Sequence, residues 1–189
     1  STTLATNALV EGQHRRIGLV MIGFSEADVG RAGLTTALGN DPMVRVAGGH
    51  TVTGDAAMPL DEAALTTWLD GAGGTVNGYA VAGYFSTRNP AHEIATRDLI
   101  RTKTDLPVTC SHELTNQLDG PRRALTCLLN ARLIPLIDGL IAATTRFLDE
   151  RGIKAPVMVV RGDGALIAAD IARERPIETI LSGPAGGIV

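Results

Sequence analysis

The chain has 189 residues, with 17 basic and 20 acidic side chains and a formal net charge of −3. Its 44% hydrophobic and 20% charged residues are typical of a globular protein. Only 3% of the residues are aromatic and the charges are interspersed, so neither a basic patch nor a row of stacking rings indicates a nucleic-acid partner. The length predicts one domain, or at most two small ones, with an aliphatic core.

The two cysteines, Cys110 and Cys127, belong to no Cys/His pattern with metal-ligand spacing. They are typical of small buried side chains in a reducing compartment, with a disulfide between them as the alternative. The stretch "STTLATNALVEG" lacks the features of a signal peptide, and the most apolar run, "LIPLIDGLIAA", is too short to cross a bilayer. The sequence therefore predicts a cytoplasmic protein with no membrane partner and no metal site.

Buried strands and a helix alternate through the first half of the chain. The runs "RRIGLVMIGF" and "VNGYAVAGYF" (76–85) are apolar at their centres, as in strands that are covered on both faces. A shorter strand is predicted in "MVRVAGG" (43–49). The segment "LDEAALTTWLDGAGG" has apolar residues at helical spacing and predicts a helix that glycines end.

The second half begins with a helix in "NPAHEIATRDLIRTK", where Asn89 suits the N-cap and Pro90 suits the first helical position. A strand follows in "LPVTCS" (106–111). From Arg122 to about Arg151, apolar residues recur every three or four positions, which predicts one long helix that is kinked at Pro135.

The last third of the chain continues the alternation of strands and helices. "APVMVVRGDGAL" predicts a strand over 156–160 and a tight turn over 162–164, "IAADIARE" predicts a short helix, and "PIETILSGPAGGIV" predicts a last strand before small residues. This alternation defines the fold class as α/β. If the chain forms two lobes, the polar, turn-rich stretch 112–122 is the expected seam.

No complete catalytic motif occurs, so no catalytic residue is assigned. Walker, GxGxxG and GxSxG patterns are absent, and "HEIAT" and "HELTN" lack the second histidine of a zinc helix. Ser111 and His112 follow a predicted strand, where α/β proteins place ligands, and local hydrogen bonding explains His112 equally well. His92 fits the first turn of a helix, and Ser182 fits an N-cap. The run "SGPAGG" suits either close helix packing or a phosphate at a helix N-terminus.

Six stretches of the chain, taken together, resemble the hydantoinase A/5-oxoprolinase family. They follow one another in the family's order from residue 2 to residue 189: "STTLATNALVEG", "YFSTRNPAHE", "TCSHEL", "RRALTCLLNARLIPLI", "VMVVRGDGALI" and "PIETILSGPAGGIV". The resemblance implies an ATP-dependent enzyme that opens cyclic amides or carboxylates ketones. N-methylhydantoinase, 5-oxoprolinase and acetone carboxylase subunits are the known types.

The resemblance also implies part of an actin/Hsp70/sugar-kinase-like (ribonuclease H-like) ATPase fold, with a mixed sheet and flanking helices. Two Asp-Gly-Gly-Thr-type loops hold ATP and Mg in that fold, and the sequence contains neither; the Asp163-Gly164-Ala165 segment is no substitute. We therefore expect residues 1–189 to be an internal fragment of a hydrolase that opens hydantoin or 5-oxoproline type lactams. The fragment would be inactive alone and would bind no cofactor tightly.

Site residues are likewise implied by the resemblance. The expected cofactor-binding residues, on the hinge side of the ATP site, are Ser182, Gly183, Gly186 and Gly187. Residues expected to line the substrate cleft are Thr3, Asn7, Asn89, His92, Ser111, His112, Arg161 and Asp163. A second subunit of hydantoinase B type and self-association are the expected protein contacts. The alternatives are a non-catalytic α/β domain that binds a ligand or a partner, and part of an acetone carboxylase-like subunit.

Overall fold

The computed structural model describes residues 16–179, and its main element is a parallel β-sheet. The strands are β1 (Gly18–Ile22), β2 (Met43–Val46), β3 (Tyr79–Gly83) and β4 (Val108–Cys110), in the spatial order β2-β1-β3-β4. Every neighbouring pair in this sheet is parallel. The α/β class is thus confirmed, whereas the expectation of a mixed sheet is wrong for the described residues.

Helices connect and cover these strands, because a parallel pair needs a crossover connection. They are α1 (Glu26–Val29), α2 (Leu34–Leu38), α3 (Glu62–Asp70), α4 (Ala91–Lys103), α5 (Ser111–Leu114), α6 (Gly120–Glu150) and α7 (Ala169–Glu174), with 3-10 turns at Ala72–Gly74 and Pro176–Thr179. The long helix and those at 62–70 and 91–103 match the sequence-based prediction. The helices α1, α2 and α5 were not predicted, because four or five residues are too few to show a helical period.

The core lies on both faces of the sheet, because successive side chains of a strand point to opposite faces. Leu19 and Met21 belong to a buried cluster that includes residues of α2 and α6. Val20 and Ile22 belong to a second cluster, which includes residues of α3 and α4. The apolar run of β1 is therefore explained by two helical layers that cover one sheet.

The start of α4 differs by one residue from the prediction. Pro90 is the N-cap and the helix begins at Ala91. The side-chain oxygen of Asn89 nevertheless accepts a hydrogen bond from the Ala91 N–H at 3.0 Å, and the Asn89 amide donates to the carbonyl of Gly54 at 2.9 Å. Asn89 thus caps the helix from one position further out and also anchors the preceding loop.

The chain divides into two compact units, one of residues 15–131 and one of residues 132–189 with residues 1–14. The division falls within α6, and the stretch 112–122 lies inside the first unit. In the described part of the second unit, β5 (Met158–Val160) and β6 (Leu166–Ala168) form an antiparallel hairpin. Its small core contains Ile137, Ile141 and Ala172.

Two predictions for the last third of the chain differ from the structure in part. The predicted short helix over 167–174 is present as α7, but its first two residues, Ile167 and Ala168, belong to β6, which pairs with β5 through the tight turn. The start of the expected last strand, Pro176–Thr179, is a 3-10 turn, and the rest of that prediction lies outside the described residues.

Helix α6 is, by length and composition alone, apolar enough to cross a membrane, and 50% of its most apolar window is buried in protein. The helix is longer than the eleven-residue apolar run that the sequence analysis judged too short to cross a bilayer. Core helices of soluble proteins meet the same criterion, so this is weak evidence for a membrane span. Both cysteines are buried free thiols, in agreement with the prediction of small buried side chains.

Candidate functional site

A buried glutamate lies where the carboxyl ends of β3 and β4 meet. Glu93 in the first turn of α4 has no exposed surface. Its Oε1 accepts hydrogen bonds from the Gly83 N–H and from the Ser111 hydroxyl, both at 2.6 Å. Its Oε2 accepts from the backbone N–H of His112 at 3.1 Å and lies 2.5 Å from His112 Nδ1. Glu93 therefore joins the ends of two strands to one helix.

The protonation state of Glu93 follows from this set of donors. Burial alone raises the pKa of a carboxyl, but the hydrogen bonds from His112, Ser111 and Ser86 outweigh burial and lower the pKa of Glu93. The carboxylate is thus ionised at neutral pH. Because an ionised carboxylate only accepts hydrogen bonds, His112 carries a proton on Nδ1, which leaves Nε2 as the ring nitrogen that is not bound to Glu93.

A buried arginine completes the cluster. Arg123, in the first turn of α6, is 1% exposed. Its guanidinium donates to the carbonyls of Gly83 and Gln117, both at 2.8 Å. Burial lowers the pKa of Arg123, and the negative charge of Glu93 acts in the opposite direction. The two buried charges therefore stabilise each other, which offsets part of the cost of burying either one alone.

Ser111 occupies the middle of this cluster. Its hydroxyl donates to Glu93 and accepts from Arg123 Nε at 3.4 Å, and Ser86 Oγ lies 3.3 Å away. A serine nucleophile needs an adjacent general base that takes its proton. Ser111 instead donates to a carboxylate that is already saturated with donors, so its geometry supports a positioning role.

Two histidine rings pack against each other beside the cluster, His50 after the end of β2 and His92 in the first turn of α4. The rings of His50 and His92 have centroids 4.3 Å apart, and the Gly49 N–H donates to His92 Nδ1 at 3.0 Å. His50 is 3% exposed; burial, and then the neighbouring His92, lower its pKa, with Glu93 opposing. The His50 ring is therefore neutral at physiological pH. Because His92 Nδ1 accepts a hydrogen bond from the Gly49 N–H, His92 carries a proton on Nε2.

Glu93, Cys110 and His112 place three potential metal-ligand atoms within 4.8 Å of one another. However, the Cys110 thiol donates to the Glu93 carbonyl at 3.8 Å, and burial raises its pKa strongly. A metal would have to remove that proton and displace the hydrogen bonds of the carboxylate. The cluster therefore fits a hydrogen-bonding role better than a metal centre, and the absence of a metal stays a prediction.

The cleft candidates Asn89, His92, Ser111 and His112 lie together at this edge of the sheet. The pair Arg161 and Asp163 belongs to the other unit, in the turn between β5 and β6. Asp163 accepts from Arg161 Nε and from the Ala165 N–H, both at 3.0 Å, and the hydrogen bond from Arg161 lowers its pKa to about 2. This pair thus organises a hairpin turn. The other candidates lie outside the described residues: Thr3, Asn7, Ser182, Gly183, Gly186 and Gly187.

Sequence reasoning missed four members of the site. His50 and Ser86 follow strands β2 and β3 at short distance, so the rule that selected Ser111 and His112 could have found them. Glu93 was read only as part of an incomplete zinc-helix pattern. Arg123 had no signal in the sequence, because arginine is rarely buried unless it is paired, and pairing is a tertiary property.

These features define an α/β protein whose polar groups gather at the carboxyl edge of a parallel sheet. Residues 1–104 match the family model "hydantoinase/oxoprolinase N-terminal region", and residues 123–189 match the model "hydantoinase/oxoprolinase". The chain belongs to the hydantoinase/oxoprolinase family, as the resemblance implied.

Curated proteins and solved structures agree with this assignment. The chain is 30% identical to the caprolactamase subunit alpha of Pseudomonas jessenii, over 97% of this chain and 29% of that protein. It is 28% identical to the acetophenone carboxylase gamma subunit of Aromatoleum aromaticum, over 100% of this chain and 29% of that protein. The crystal structure of the ATP-dependent caprolactamase from P. jessenii has a TM-score of 0.82 and 27% identity, over 96% of this chain and 29% of that one.

Proposed function

We propose that the chain is part of an ATP-dependent enzyme that opens cyclic amides of the lactam type. The main support is its similarity to a caprolactamase along 97% of its length. The chain spans 29% of the length of that relative, so the proposal concerns the activity of a whole protein to which these residues contribute. The actin-like ATPase fold of that whole protein is part of the proposal.

The described residues are better suited to supporting the substrate cleft than to binding a nucleotide. The Asp163-Gly164 turn has its carboxylate engaged by Arg161 and by the Ala165 N–H, and a negative side chain there would repel a phosphate. We therefore assign no ATP contact to the described residues. Ser182, Gly183, Gly186 and Gly187 remain the proposed cofactor-binding segment.

Within the proposed enzyme, the carboxyl edge of the sheet supplies fixed polar groups at the substrate cleft. Glu93 and Arg123 hold Ser111 and His112 in place, and His112, with 18% of its side chain exposed, is the residue of the cluster with access to a ligand. With Nδ1 bound to Glu93, the imidazole presents Nε2 as an acceptor for an amide N–H or for a water molecule.

The proposal is tested by expressing the complete reading frame together with its neighbouring genes, which provides for a second subunit of hydantoinase B type. We expect ATP hydrolysis that depends on 5-oxoproline, a hydantoin or caprolactam, with one amide opened for each ATP consumed. The 189-residue chain alone is the control and should show no ATP-dependent opening. Lactam-independent ATP hydrolysis by the whole protein would contradict the proposal.

A second candidate function is the carboxylation of a ketone. It rests on the 28% identity to the acetophenone carboxylase gamma subunit, which extends over the entire chain. The same preparation should be supplied with acetone or acetophenone and bicarbonate. ATP hydrolysis that requires both the ketone and bicarbonate, with no response to lactams, would support this candidate and exclude the first.

A further inference from the structure

A cavity of about 410 Å³ opens at the carboxyl ends of β1 and β3. The chain leaves β1 towards β2 on one side of the sheet, whereas β3 lies on the other side. The two strands thus form a topological switch point, the position at which open α/β sheets place their ligands. The volume is that of a site for a small molecule. None of the cluster residues around Glu93 lines it, so it is a separate feature of the same unit.

One wall of the cavity is aromatic. Tyr84 is held edge-to-face between Phe24, at a centroid distance of 5.4 Å, and Phe85, at 4.9 Å. Phe85 has a φ of +51° and Ala32 has a φ of +56°, and both line the cavity. They are the non-glycine residues with positive φ in the described part of the chain. Such strained backbone persists where the surrounding structure fixes it, and it concentrates at ligand sites.

Two arginines stand at the mouth, each with 69% of its side chain exposed. Arg31 lies 3.5 Å from Asp28, and Arg122 lies 3.9 Å from Asp119. Both separations exceed the roughly 2.7–2.9 Å that is typical of a close charge-assisted hydrogen bond. The planar guanidinium groups are therefore able to exchange these loose contacts for bidentate contacts to an anion.

The two carboxylates at the mouth are engaged by the protein itself. Asp28 accepts from the backbone N–H and the hydroxyl of Ser25, at 2.9 and 2.7 Å, in the capping box of α1. Asp119 accepts from the Arg122 N–H at 3.2 Å at the start of α6. The acids are thus held in place as helix caps, whereas both arginine side chains are largely exposed and loosely paired, so each guanidinium has further N–H donors to offer an anionic group.

We propose that this cavity binds a small organic anion, with its carboxylate or phosphate on Arg31 and Arg122 and its planar or apolar body against Tyr84 and Phe85. The site is distinct from the proposed lactam chemistry and does not depend on it. Binding requires two features of the ligand: a negative charge that contacts the arginines and a ring that packs against the aromatic wall.

The test follows the amide resonances of the 189-residue chain by NMR during titration with benzoate, phenyl phosphate, benzamide and inorganic phosphate, each up to about 10 mM. We expect saturable shifts at residues 28–32, 84–85 and 118–122 with benzoate, phenyl phosphate or both. The stronger of the two identifies the anionic group. Benzamide lacks the charge and inorganic phosphate lacks the ring, and each should bind at least about tenfold more weakly.

The double variant Arg31→Gln/Arg122→Gln should weaken binding of the stronger probe at least about tenfold, with an unchanged unfolding midpoint. Arg101→Gln, an exposed arginine on α4, is the matched control and should leave the affinity unchanged. Equal binding of benzoate and benzamide, unaltered binding by the double variant, or shifts confined to other residues would overturn the proposal. Failure of all four probes to bind saturably would overturn it as well.

Discussion

Glu93 is a fully buried carboxylate, and its hydrogen bonds predict that the chain loses stability in acid. Its pKa is lowered because hydrogen bonds from His112, Ser111 and Ser86 outweigh the opposing effect of burial. A lowered pKa in the folded state means that the stabilisation is complete above the ordinary value of 4.5 and is lost as the pH falls below it. We therefore expect the free energy of unfolding, from urea titrations between about pH 3 and pH 7, to fall steeply at the acidic end.

The Glu93→Gln variant isolates this contribution. It should be less stable at neutral pH, and its free energy of unfolding should change less between the two ends of the pH range than that of the parent chain. Glu150→Gln, at an exposed glutamate of α6, is the control and should retain the parent slope. If Glu93→Gln retained that slope as well, the acid sensitivity would have to come from other groups.

His112 offers a second test at the residue scale, because its two ring nitrogens have different partners. Asparagine places a donor near the position of Nδ1, whereas glutamine places one near that of Nε2. We expect His112→Asn to keep the contact with Glu93 and to lose less than about 1 kcal/mol of stability. His112→Gln breaks a hydrogen bond to a charged group and should lose about 1.5–3 kcal/mol.

Chemical denaturation measures both His112 variants, and the ATP-dependent activity of the complete protein provides the second readout. If His112 presents Nε2 to the ligand, His112→Asn should lose activity although it remains stable. Equal destabilisation by the two substitutions would contradict the assignment of Nδ1 to Glu93. A fully active His112→Asn enzyme would restrict the role of His112 to stability.

At the scale of elements, the ends of β1 and β2 approach each other so closely that only glycine fits. Gly23 has a φ of +76°, and a Cβ there would lie 2.6 Å from the carbonyl oxygen of Gly48. Gly33 has a similar φ of +71°, but nothing lies within 4 Å of its Cβ position. The two glycines thus share a left-handed backbone conformation, but only Gly23 lies in close contact with another backbone segment.

Gly33→Ala should therefore cost about 1–2 kcal/mol, the strain of a left-handed residue alone. Gly23→Ala adds a clash with backbone and should cost at least about 2 kcal/mol more. Urea unfolding, followed by the fluorescence of the single Trp68, which lies in the same unit, measures both. Similar losses in the two variants would show that the close approach of the backbones does not limit stability.

The sequence predicted the longer elements because their patterns are local. The apolar runs of β1 and β3 reflect burial on both faces of the sheet. The three-to-four periodicity of α6 reflects burial of one face of the helix. The helix predicted over 167–174 begins two residues later, at Ala169, because Ile167 and Ala168 pair with β5. The prediction also missed α1, α2 and α5. Short elements depend on caps and contacts, such as the capping box between Ser25 and Asp28, more than on periodicity.

At the scale of the whole molecule, the two units differ greatly in the protection of their sheets. All five residues of β1 and all five of β3 are buried, and each of these strands is paired on both sides. The hairpin of β5 and β6 has only two strands, with Met158 46% and Leu166 63% exposed. An isolated two-stranded ribbon is marginally stable in water.

Hydrogen exchange with mass spectrometric detection should therefore separate the two sheets. After correction for intrinsic rates, we expect the amides of β1 and β3 to exchange about 100-fold or more slowly than those of β5 and β6. The amides of the exposed loop residues Val52 and Thr53 are the control for fast exchange. Equal protection of the two sheets would indicate that the chain opens as one cooperative unit.

The sequence by itself determined the α/β class, the family and the strand-end positions of Ser111 and His112, because these depend on local patterns and on collinear motifs. Only the tertiary structure decided the parallel order of the strands, the burial of Glu93 with Arg123 and the cavity at Tyr84 and Phe85. The physical reason is that a buried charge is tolerated only with a partner, and here the partner of Glu93 lies on another element, thirty positions along the chain. No local pattern encodes such a pair.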